Sequence, residues 1–142
     1  MLIRDVVEKD LPEIGEIAKK AFDDYSVEDY LKMSKDPNYN FVVAESAGSI
    51  LGFLMYLKID DELEIIKIAT DEKFKRQGVA TKLIESMRDF GLKFNHSGII
   101  LEVNEINESA RKLYEKAGFK QIHVRKKYYH GTEDAIIMEL KF

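Results

Sequence analysis

The sequence predicts an α/β chain of the α+β type, built on a mixed central sheet of about seven strands. Apolar runs of strand length, separated by short turns, fill residues 40–70, which is typical of an antiparallel meander. Apolar residues at helical spacing follow over 77–94, and a nearly continuous apolar run then occupies 98–103. A strand, a helix and a strand in succession indicate a parallel pair, so the predicted sheet contains both strand orientations.

The complete order of elements is expected to be β-α-α-β-β-β-α-β-α-β-β. The predicted strands cover 2–6, 40–46, 50–59, 62–70, 98–103, 119–129 and 134–140. The predicted helices cover about 11–22, 27–34, 77–94 and 108–117. Asp10, Ser26 and Asn107 are the expected N-caps of the first, second and fourth helices, and Gly118 is expected to end the fourth. The run GIILEV is apolar enough to predict a strand buried on both faces.

The composition is that of a globular protein and excludes several classes of function. The chain of 142 residues is 45% hydrophobic and 34% charged, so we expect one domain over 1–142, and no window is apolar enough to span a membrane. A formal net charge of −4 argues against nucleic acid as a partner, although Arg125-Lys126-Lys127 forms a local basic edge. The absence of cysteine excludes a thiolate nucleophile, and His96, His123 and His130 lack metal-ligand spacing, so no metal is expected. The N-terminus has no signal-peptide core, which predicts a cytoplasmic protein; we expect a monomer or a weak homodimer.

The stretch KRQGVATKLIESM at 75–87 carries the first functional signal. A basic, glycine-containing turn runs directly into an amphipathic helix, whose first N–H groups and dipole favour an anion. Gly78 allows the backbone to approach a pyrophosphate, Ala80 keeps the next turn small, and Lys75 and Arg76 add positive charge. The spacing is not that of a Walker-type ATP loop. For this turn taken alone, a helix start with solvated basic residues is the alternative.

The order of elements, with this basic turn after the fourth strand, resembles the Gcn5-related N-acetyltransferase (GNAT) superfamily over essentially the whole chain. The phosphate-binding pattern of that superfamily is Gln/Arg-x-x-Gly-x-Gly/Ala, and Lys75-Arg76-Gln77-Gly78-Val79-Ala80 departs from it only at Lys75. The resemblance implies acetyl-CoA as the cofactor, with a backbone amide near Ile68 as an oxyanion donor. The residues that it implies for cofactor binding are Ile68, Ala69, Thr70, Lys75, Arg76, Gln77, Gly78, Val79, Ala80, Thr81, Asn107 and Tyr114.

Two later stretches are similar to RimI-type protein N-terminal acetyltransferases. LEVNEINESARKLYEKAGF at 101–119 contains Leu-Glu-Val-x-x-x-Asn-x-x-Ala-x-x-Leu-Tyr-x-x-x-Gly-Phe, and RKKYYHGTEDAIIMEL at 125–140 contains Tyr-Tyr…Glu-Asp-Ala. Asp24-Tyr25-Ser26 departs from the Pro-Trp-Ser of many such proteins, and the connection after Tyr129 is short. Because both segments would border the peptide site, the choice of acceptor follows least directly from the resemblance.

The resemblance also implies the catalytic residues. A carboxylate inside an apolar strand is costly to bury without a partner, and Glu102 matches the family's general base, which acts through water. Tyr114 matches the general acid, a phenol whose ordinary pKa of about 10 is close enough to that of a thiol, about 8.5, to protonate the departing thiolate. An ion-paired glutamate and a core aromatic residue are the respective alternatives. Asn107 suits both a helix cap and a cofactor contact.

The expected acceptor-binding residues are Tyr25, Glu102, Tyr128 and Tyr129. For the tyrosine pair, packing at a strand end is the alternative. The acidic clusters Asp23-Asp24 and 60–62 are expected to be solvated turns.

Three functions remain open. The first is acetyl transfer to the N-terminus of a protein or peptide, with a ribosomal protein as one candidate acceptor. An α-amine is about a tenth neutral at pH 7, whereas a lysine amine is neutral in only about one part in several thousand, so a modest base suits the α-amine better. Without cysteine, direct attack in a ternary complex is the expected scheme. The second function is acetylation of a lysine or a small amine, and the third is a non-catalytic CoA-binding domain.

Overall fold

The computed structural model describes residues 1–22 and 25–142 and confirms the predicted order of elements. The strands are β1 (Leu2–Asp5), β2 (Tyr39–Ser46), β3 (Ser49–Ile59), β4 (Glu62–Thr70), β5 (Gly98–Asn104), β6 (Lys120–Tyr129) and β7 (Glu133–Lys141). The helices are α1 (Leu11–Ala21), α2 (Val27–Lys35), α3 (Val79–Lys93) and α4 (Glu108–Lys116). Seven strands form a mixed sheet in the order β1-β2-β3-β4-β5-β7-β6. The short 3₁₀ turn at Glu8–Asp10 was not predicted, whereas the one at Glu72–Phe74 lies within a turn expected at 71–75. The expectation for Asp23-Asp24 lies outside the described residues.

Local side chains explain where the helices begin and end. The Ser26 hydroxyl accepts a hydrogen bond from the Asp29 N–H at 3.2 Å, and the Asp29 carboxylate accepts one from the Ser26 N–H at 2.9 Å, which forms a capping box for α2. The Asn107 side chain accepts from the Ala110 N–H at 3.2 Å and begins α4. Gly118, with φ of +103°, follows the last turn of α4. The predicted starts of these two helices are therefore confirmed, and each helix ends one residue away from the predicted position.

The described chain divides into two compact units. The first contains Met1–Lys58 and Ile66–Met87, and the second contains Ile59–Ile65 and Arg88–Phe142. The expectation of a single domain over 1–142 stays a prediction. None of the helices in the described part of the chain has the length and apolar character needed to cross a membrane.

The core of the first unit lies where α1 and α2 pack on β2 and β3. Tyr30 of α2 is fully buried, and its ring makes edge contacts with Phe41 and Phe53 at centroid distances of 6.2 and 5.9 Å. The other buried members are Leu11, Ile14, Ile17, Ala18, Val43, Ile50, Met55 and Ala69. This aromatic and aliphatic cluster holds the two helices against the meander.

The second unit is built around β5, which has a strand on each side. β5 pairs in parallel with the start of β4, from Glu62↔Gly98 to Glu64↔Ile100, and antiparallel with β7 along its whole length. The expectation that β5 is buried on both faces was wrong for one of them. Ile99, Leu101 and Val103 are buried, whereas the alternate side chains of Ile100, Glu102 and Asn104 are only half-buried. The half-buried face is where polar groups can reach solvent and substrate.

The first helix is preceded by a charged cluster that the sequence did not predict. Asp10 occupies the expected N-cap position, but its carboxylate turns back and accepts from the Val7 N–H at 2.8 Å. Its two oxygens also bind the Arg4 guanidinium at 2.8 and 2.9 Å, and Arg4 Nε donates to Glu45 at 2.6 Å. Asp10 is only 3% exposed, so this bidentate pair offsets the cost of burying its charge.

Asp10→Asn is expected to lower the free energy of unfolding at pH 7 by about 2 kcal/mol, because it leaves the Arg4 charge half-paired. The Arg4 hydrogen bonds hold the pKa of Asp10 below its ordinary value of 3.8. Its contribution is therefore full above 3.8 and is lost as the pH falls through the lower, folded-state pKa. Urea denaturation at pH 7 and pH 2.5 should show the difference between the two proteins shrinking in acid. Glu45→Gln, which removes the more exposed partner of Arg4, should cost less; an equal loss for both variants would contradict this ranking.

Candidate active site

The turn before α3 has the backbone geometry of an anion-binding loop. Arg76 and Gly78 have φ of +65° and +82°, in the left-handed region, and the Gly78 carbonyl accepts the first helical hydrogen bond from the Lys82 N–H at 3.0 Å. The N–H groups of the first three helical residues, Val79, Ala80 and Thr81, have no partner earlier in the helix. They are the groups that an anion at this position would engage.

The space in front of Gly78 is open. A Cβ built at this position would meet no heavy atom within 4 Å, so a bulky phosphate can approach the backbone closely. The side chains of Arg76 and Gln77 are exposed. Lys75 is also exposed, and its ammonium pairs with Glu72 at 3.0 Å, so a part of its charge is already balanced. The loop therefore fits a pyrophosphate, chiefly through its backbone.

The end of β4, in the same unit as this loop, contains the other three residues predicted to bind the cofactor on this side. Ile68 and Thr70 are half-buried, whereas Ala69 is 8% exposed and belongs to the hydrophobic core. Ala69 thus has only its backbone to offer a ligand.

In the second unit, Glu102 lies on the half-buried face of β5. Its carboxylate is 28% exposed, and Arg125 Nη1 lies 3.4 Å from Oε1. Arg125 is on β6, with β7 between it and β5. Burial raises the pKa of the Tyr129 phenol on β6, and the negative charge of nearby Glu102 raises it further. The predicted base is therefore one member of a group that contains a cation and a phenol.

Glu64 belongs to the same group and was not singled out from the sequence. It is half-buried on β4, and burial and the charge of Glu102 raise the pKa of its carboxyl, while Arg125 lowers it. The signal that drew attention to Glu102, a carboxylate inside an apolar strand, applies equally to Glu64 within ELEIIKI.

Tyr114 is on the buried side of α4, as predicted. It is 6% exposed, and its ring makes an edge contact with Phe119 at 5.7 Å. Burial raises the pKa of its phenol to about 12. This phenol is therefore less acidic than the reference value suggests, and complete transfer of its proton to a thiolate of pKa about 8.5 would be uphill by about 5 kcal/mol. A neutral phenol remains well suited to donating a hydrogen bond to sulfur as charge develops there.

The tyrosines predicted to bind the acceptor differ in exposure. Tyr128 is 51% exposed and stacks under the Arg125 guanidinium at 5.2 Å, while Tyr129 is half-buried and contacts Tyr128 edge-on at 5.2 Å. The β6–β7 hairpin that presents them is held by Asp134, which accepts hydrogen bonds from the Lys127 N–H at 2.8 Å and from Lys126 at 3.3 Å. The hydrogen bond from the Lys127 backbone contributes most to lowering the pKa of Asp134, and the bond from Lys126 lowers it further.

Tyr25, the remaining predicted acceptor residue, lies in the first unit. Its ring and that of Phe22 lie 4.5 and 4.3 Å from the ammonium of Lys67, and Lys67 is only 9% exposed. This cation–π contact links the segment after α1 to β4. Lys67, another charged residue inside an apolar strand, was also not singled out from the sequence.

Within the described ranges, no group of three or more histidine or acidic side chains is arranged to hold a metal ion. The predicted cap Asn107 is exposed, and its side-chain oxygen begins α4 by accepting a hydrogen bond from the Ala110 N–H. Its expected contact with a cofactor stays a prediction.

Comparison with protein families decides what kind of protein has this arrangement. Residues 4–119 match the model of the "Acetyltransferase (GNAT) family". The chain belongs to the GNAT acetyltransferase family. The resemblance inferred from the phosphate loop and the order of strands is thereby confirmed, and with it acetyl-CoA as the acetyl donor.

Individual GNAT relatives are similar along most of the chain. The [ribosomal protein bS18]-alanine N-acetyltransferase of Escherichia coli (strain K12) is 36% identical over 104 residues, which cover 71% of this chain and 70% of that protein. An N-alpha-acetyltransferase of Sulfurisphaera tokodaii is 31% identical over 150 residues, which cover 96% and 90%.

Solved GNAT structures share the fold. The crystal structure of the E. coli ribosomal-protein-S18-alanine N-acetyltransferase matches with a TM-score of 0.87 and 30% identity, covering 99% of this chain and 92% of that one. A putative streptothricin acetyltransferase from Bacillus anthracis, solved in complex with acetyl coenzyme A, matches with a TM-score of 0.86 and 25% identity, covering 99% of both chains.

Proposed function

We propose that this GNAT protein transfers the acetyl group of acetyl-CoA to the α-amine of a protein N-terminus. The observation that carries the proposal is the pair of half-buried carboxylates, Glu64 on β4 and Glu102 on β5. Arg125 and the tyrosines of the β6–β7 hairpin flank this pair. The names of two similar proteins, an alanine N-acetyltransferase and an N-alpha-acetyltransferase, support this choice of acceptor. A ribosomal protein is one candidate acceptor.

The carboxylate site suits an amine that is easily deprotonated. Because an α-amine has an ordinary pKa of about 8, removing its proton costs about 3 kcal/mol less than for a lysine amine. The Glu102 carboxylate offers a negative charge to an incoming ammonium, and a water molecule can relay a proton from the ammonium to a carboxylate. The exposed ring of Tyr128 and the half-buried Tyr129 offer a surface for the first side chains of a peptide.

The transfer itself needs no covalent intermediate on the protein. The amine nitrogen forms a bond to the thioester carbonyl carbon, the C–S bond breaks, and the sulfur leaves with the electron pair of that bond. The phenol of Tyr114 donates a hydrogen bond to the sulfur and passes it a proton as it receives the proton that the new amide nitrogen loses, so that no free phenolate forms.

The test is acetyl transfer to matched peptides, with the release of coenzyme A as the rate and mass spectrometry to locate the acetyl group. Each peptide is made with a free and with a blocked N-terminus, and with and without a lysine, and the first residue is varied. We expect turnover that requires a free α-amine and is independent of lysine. A preference for one first residue would identify the acceptor class.

Activity that persists on blocked, lysine-containing peptides or on small amines would replace the proposed acceptor by one of those. Binding of acetyl-CoA with no transfer to any amine would favour a non-catalytic role. Oligomeric state, for which we expect a monomer or weak homodimer, is measured on the same sample by light scattering.

A further inference from the structure

Lys67 is a charged residue that is buried on β4, in the first unit. It is 9% exposed, and its ammonium lies 4.3 Å from the centre of the Phe22 ring and 4.5 Å from that of the Tyr25 ring. Burying a charged side chain is costly unless other groups replace the water around it, and the negative faces of aromatic rings do so in part. The position of the Lys67 ammonium is therefore tied to the positions of these two rings.

Phe22 and Tyr25, the aromatic pair, are fixed by their neighbours and yet reach solvent. The Tyr25 ring also contacts the ring of Tyr30 edge-on at a centroid distance of 5.7 Å, and Tyr30 is fully buried in the core of the first unit. Phe22 and Tyr25 nevertheless remain 38% and 41% exposed. Exposed rings that are already held in place offer contact area to a ligand at a low cost in conformational entropy.

The aromatic pair is anchored to the part of β4 that leads to the phosphate loop. Lys67 directly precedes Ile68, near which the oxyanion donor is expected, and β4 ends at Thr70, shortly before the loop at 75–81. All of these residues belong to the first unit. We therefore expect the rings to be within reach of the first side chain of an acceptor that attacks a thioester bound along β4.

Resting on the proposed function, we propose that Lys67 positions the aromatic pair to receive the first side chain of the acceptor and selects against a basic first residue. An apolar side chain gains contact with the two rings. A guanidinium would instead compete with Lys67 for the same ring faces, and the repulsion between the two charges is weakly screened because Lys67 is buried. Lys67 is thus a positioning residue that sets specificity and takes no part in the chemical step.

The experiment compares two variants with the wild type on lysine-free peptides that begin with methionine or with arginine, at saturating acetyl-CoA. Lys67→Met keeps an unbranched side chain without the charge, and should raise the KM of the methionine peptide about tenfold with kcat changed less than about twofold. Lys67→Arg keeps a cation over the rings and should bring this KM within about threefold of the wild type. An unchanged KM in Lys67→Met, or a loss that falls mainly on kcat, would overturn the inference.

The preference for the first residue separates this role from a general contribution to stability. Wild-type kcat/KM should be at least about tenfold higher for the methionine peptide than for the arginine peptide, and Lys67→Met should narrow the ratio to about threefold or less. A ratio that stays the same in this variant would contradict selection by the buried charge. If Lys67→Met does not fold, Tyr25→Leu replaces it, because that ring is partly exposed; its KM for the methionine peptide should rise, and an unchanged KM would overturn the inference.

Lys93→Met is the matched control. The Lys93 ammonium also lies over an aromatic ring, 5.5 Å from the centre of Phe94, but Lys93 is exposed in the last turn of α3 and belongs to no part of the candidate site. Its replacement should leave kcat, KM and the preference for the first residue as in the wild type. Equal changes in Lys93→Met and Lys67→Met would overturn the inference.

A second measurement needs no turnover. In protein with ¹³C-labelled lysine, the ε-CH₂ signal of Lys67 is identified by its absence in Lys67→Met. Adding coenzyme A and the methionine peptide, which cannot react with each other, should shift this signal and leave that of Lys93 in place; an unmoved Lys67 signal at saturating peptide would overturn the inference. If the wild type acetylates lysine or a small amine but not an α-amine, the proposed acceptor fails. The same variants and the same signal, measured with that amine, then decide the role of Lys67 separately.

Discussion

Tyr114→Phe is expected to lower kcat about a hundredfold while changing the dissociation constant of acetyl-CoA less than twofold. The substitution removes one hydroxyl and keeps the buried ring against Phe119, so the loss falls on the step in which sulfur gains charge. Because the pKa of the phenol is raised to about 12, the group remains protonated through any practical assay range. Deprotonation of this phenol should therefore not limit the rate between pH 8 and pH 10. Any fall in rate within that range should be the same in the wild type and in Tyr114→Phe.

The control for this prediction is Tyr56→Phe. Tyr56 is also a buried tyrosine, 3% exposed on β3, and its pKa is also raised by burial, but it belongs to no part of the candidate site. Loss of its hydroxyl should leave kcat unchanged. Wild-type turnover in Tyr114→Phe, or an equal loss in both variants, would remove Tyr114 as the group that assists the leaving thiolate.

Gly78→Ala is expected to weaken the binding of acetyl-CoA at least tenfold. The new methyl group would project into the open space that a pyrophosphate must enter, and the φ of +82° disfavours any side chain at this position. Isothermal titration calorimetry with acetyl-CoA and with coenzyme A measures the effect. Both ligands should lose affinity equally, because they share the pyrophosphate.

Gly48→Ala separates this effect from backbone strain. Gly48 has a φ of +80° and, like Gly78, no atom within 4 Å of an added Cβ, but it lies in the turn between β2 and β3. Both variants should lower the melting temperature by a similar amount, since each places alanine in the left-handed region at a cost of about 1 kcal/mol. Only Gly78→Ala should affect ligand affinity. Unchanged affinity in Gly78→Ala would contradict the assignment of the phosphate loop.

The parts of the fold that depend on neighbours in sequence were predictable. Ser26 with Asp29, Asn107 with Ala110, and Gly118 act within one helical turn, so their types and spacing are enough to locate helix ends. Asp10 shows the limit of that logic. Its position was correct, but its partner Arg4 is held in place by Glu45, a residue 41 positions away from Arg4 in the chain. Such a network is invisible until β1 and β2 are paired.

The candidate site was predictable residue by residue but not as a group. Glu102 and Tyr114 follow from motif positions, and the phosphate loop follows from its glycine and the helix after it. Arg125 reaches Glu102 only because β7, the last strand in the chain, lies between β5 and β6 in the sheet. The pairing of Glu64 opposite Ile100 likewise depends on a parallel register across an intervening helix. Sequence patterns do not specify register or strand order, and so they did not show that Arg125 and Glu64 lie near Glu102.

The β6–β7 hairpin has an uneven strand pairing. Between the pairs Arg125↔Ala135 and Tyr129↔Glu133, β6 has three residues and β7 has only Asp134, whose carboxylate binds the Lys127 N–H. Extra length in β6 is thus accommodated within the hairpin, while β7 keeps its register with β5, the strand that contains Glu102. We therefore expect that residues 126–128 can be lengthened or shortened, which would change the aromatic side chain that the hairpin presents, without shifting Glu102. If the hairpin binds the acceptor as proposed, the range of acceptors can change while the position of Glu102 stays fixed.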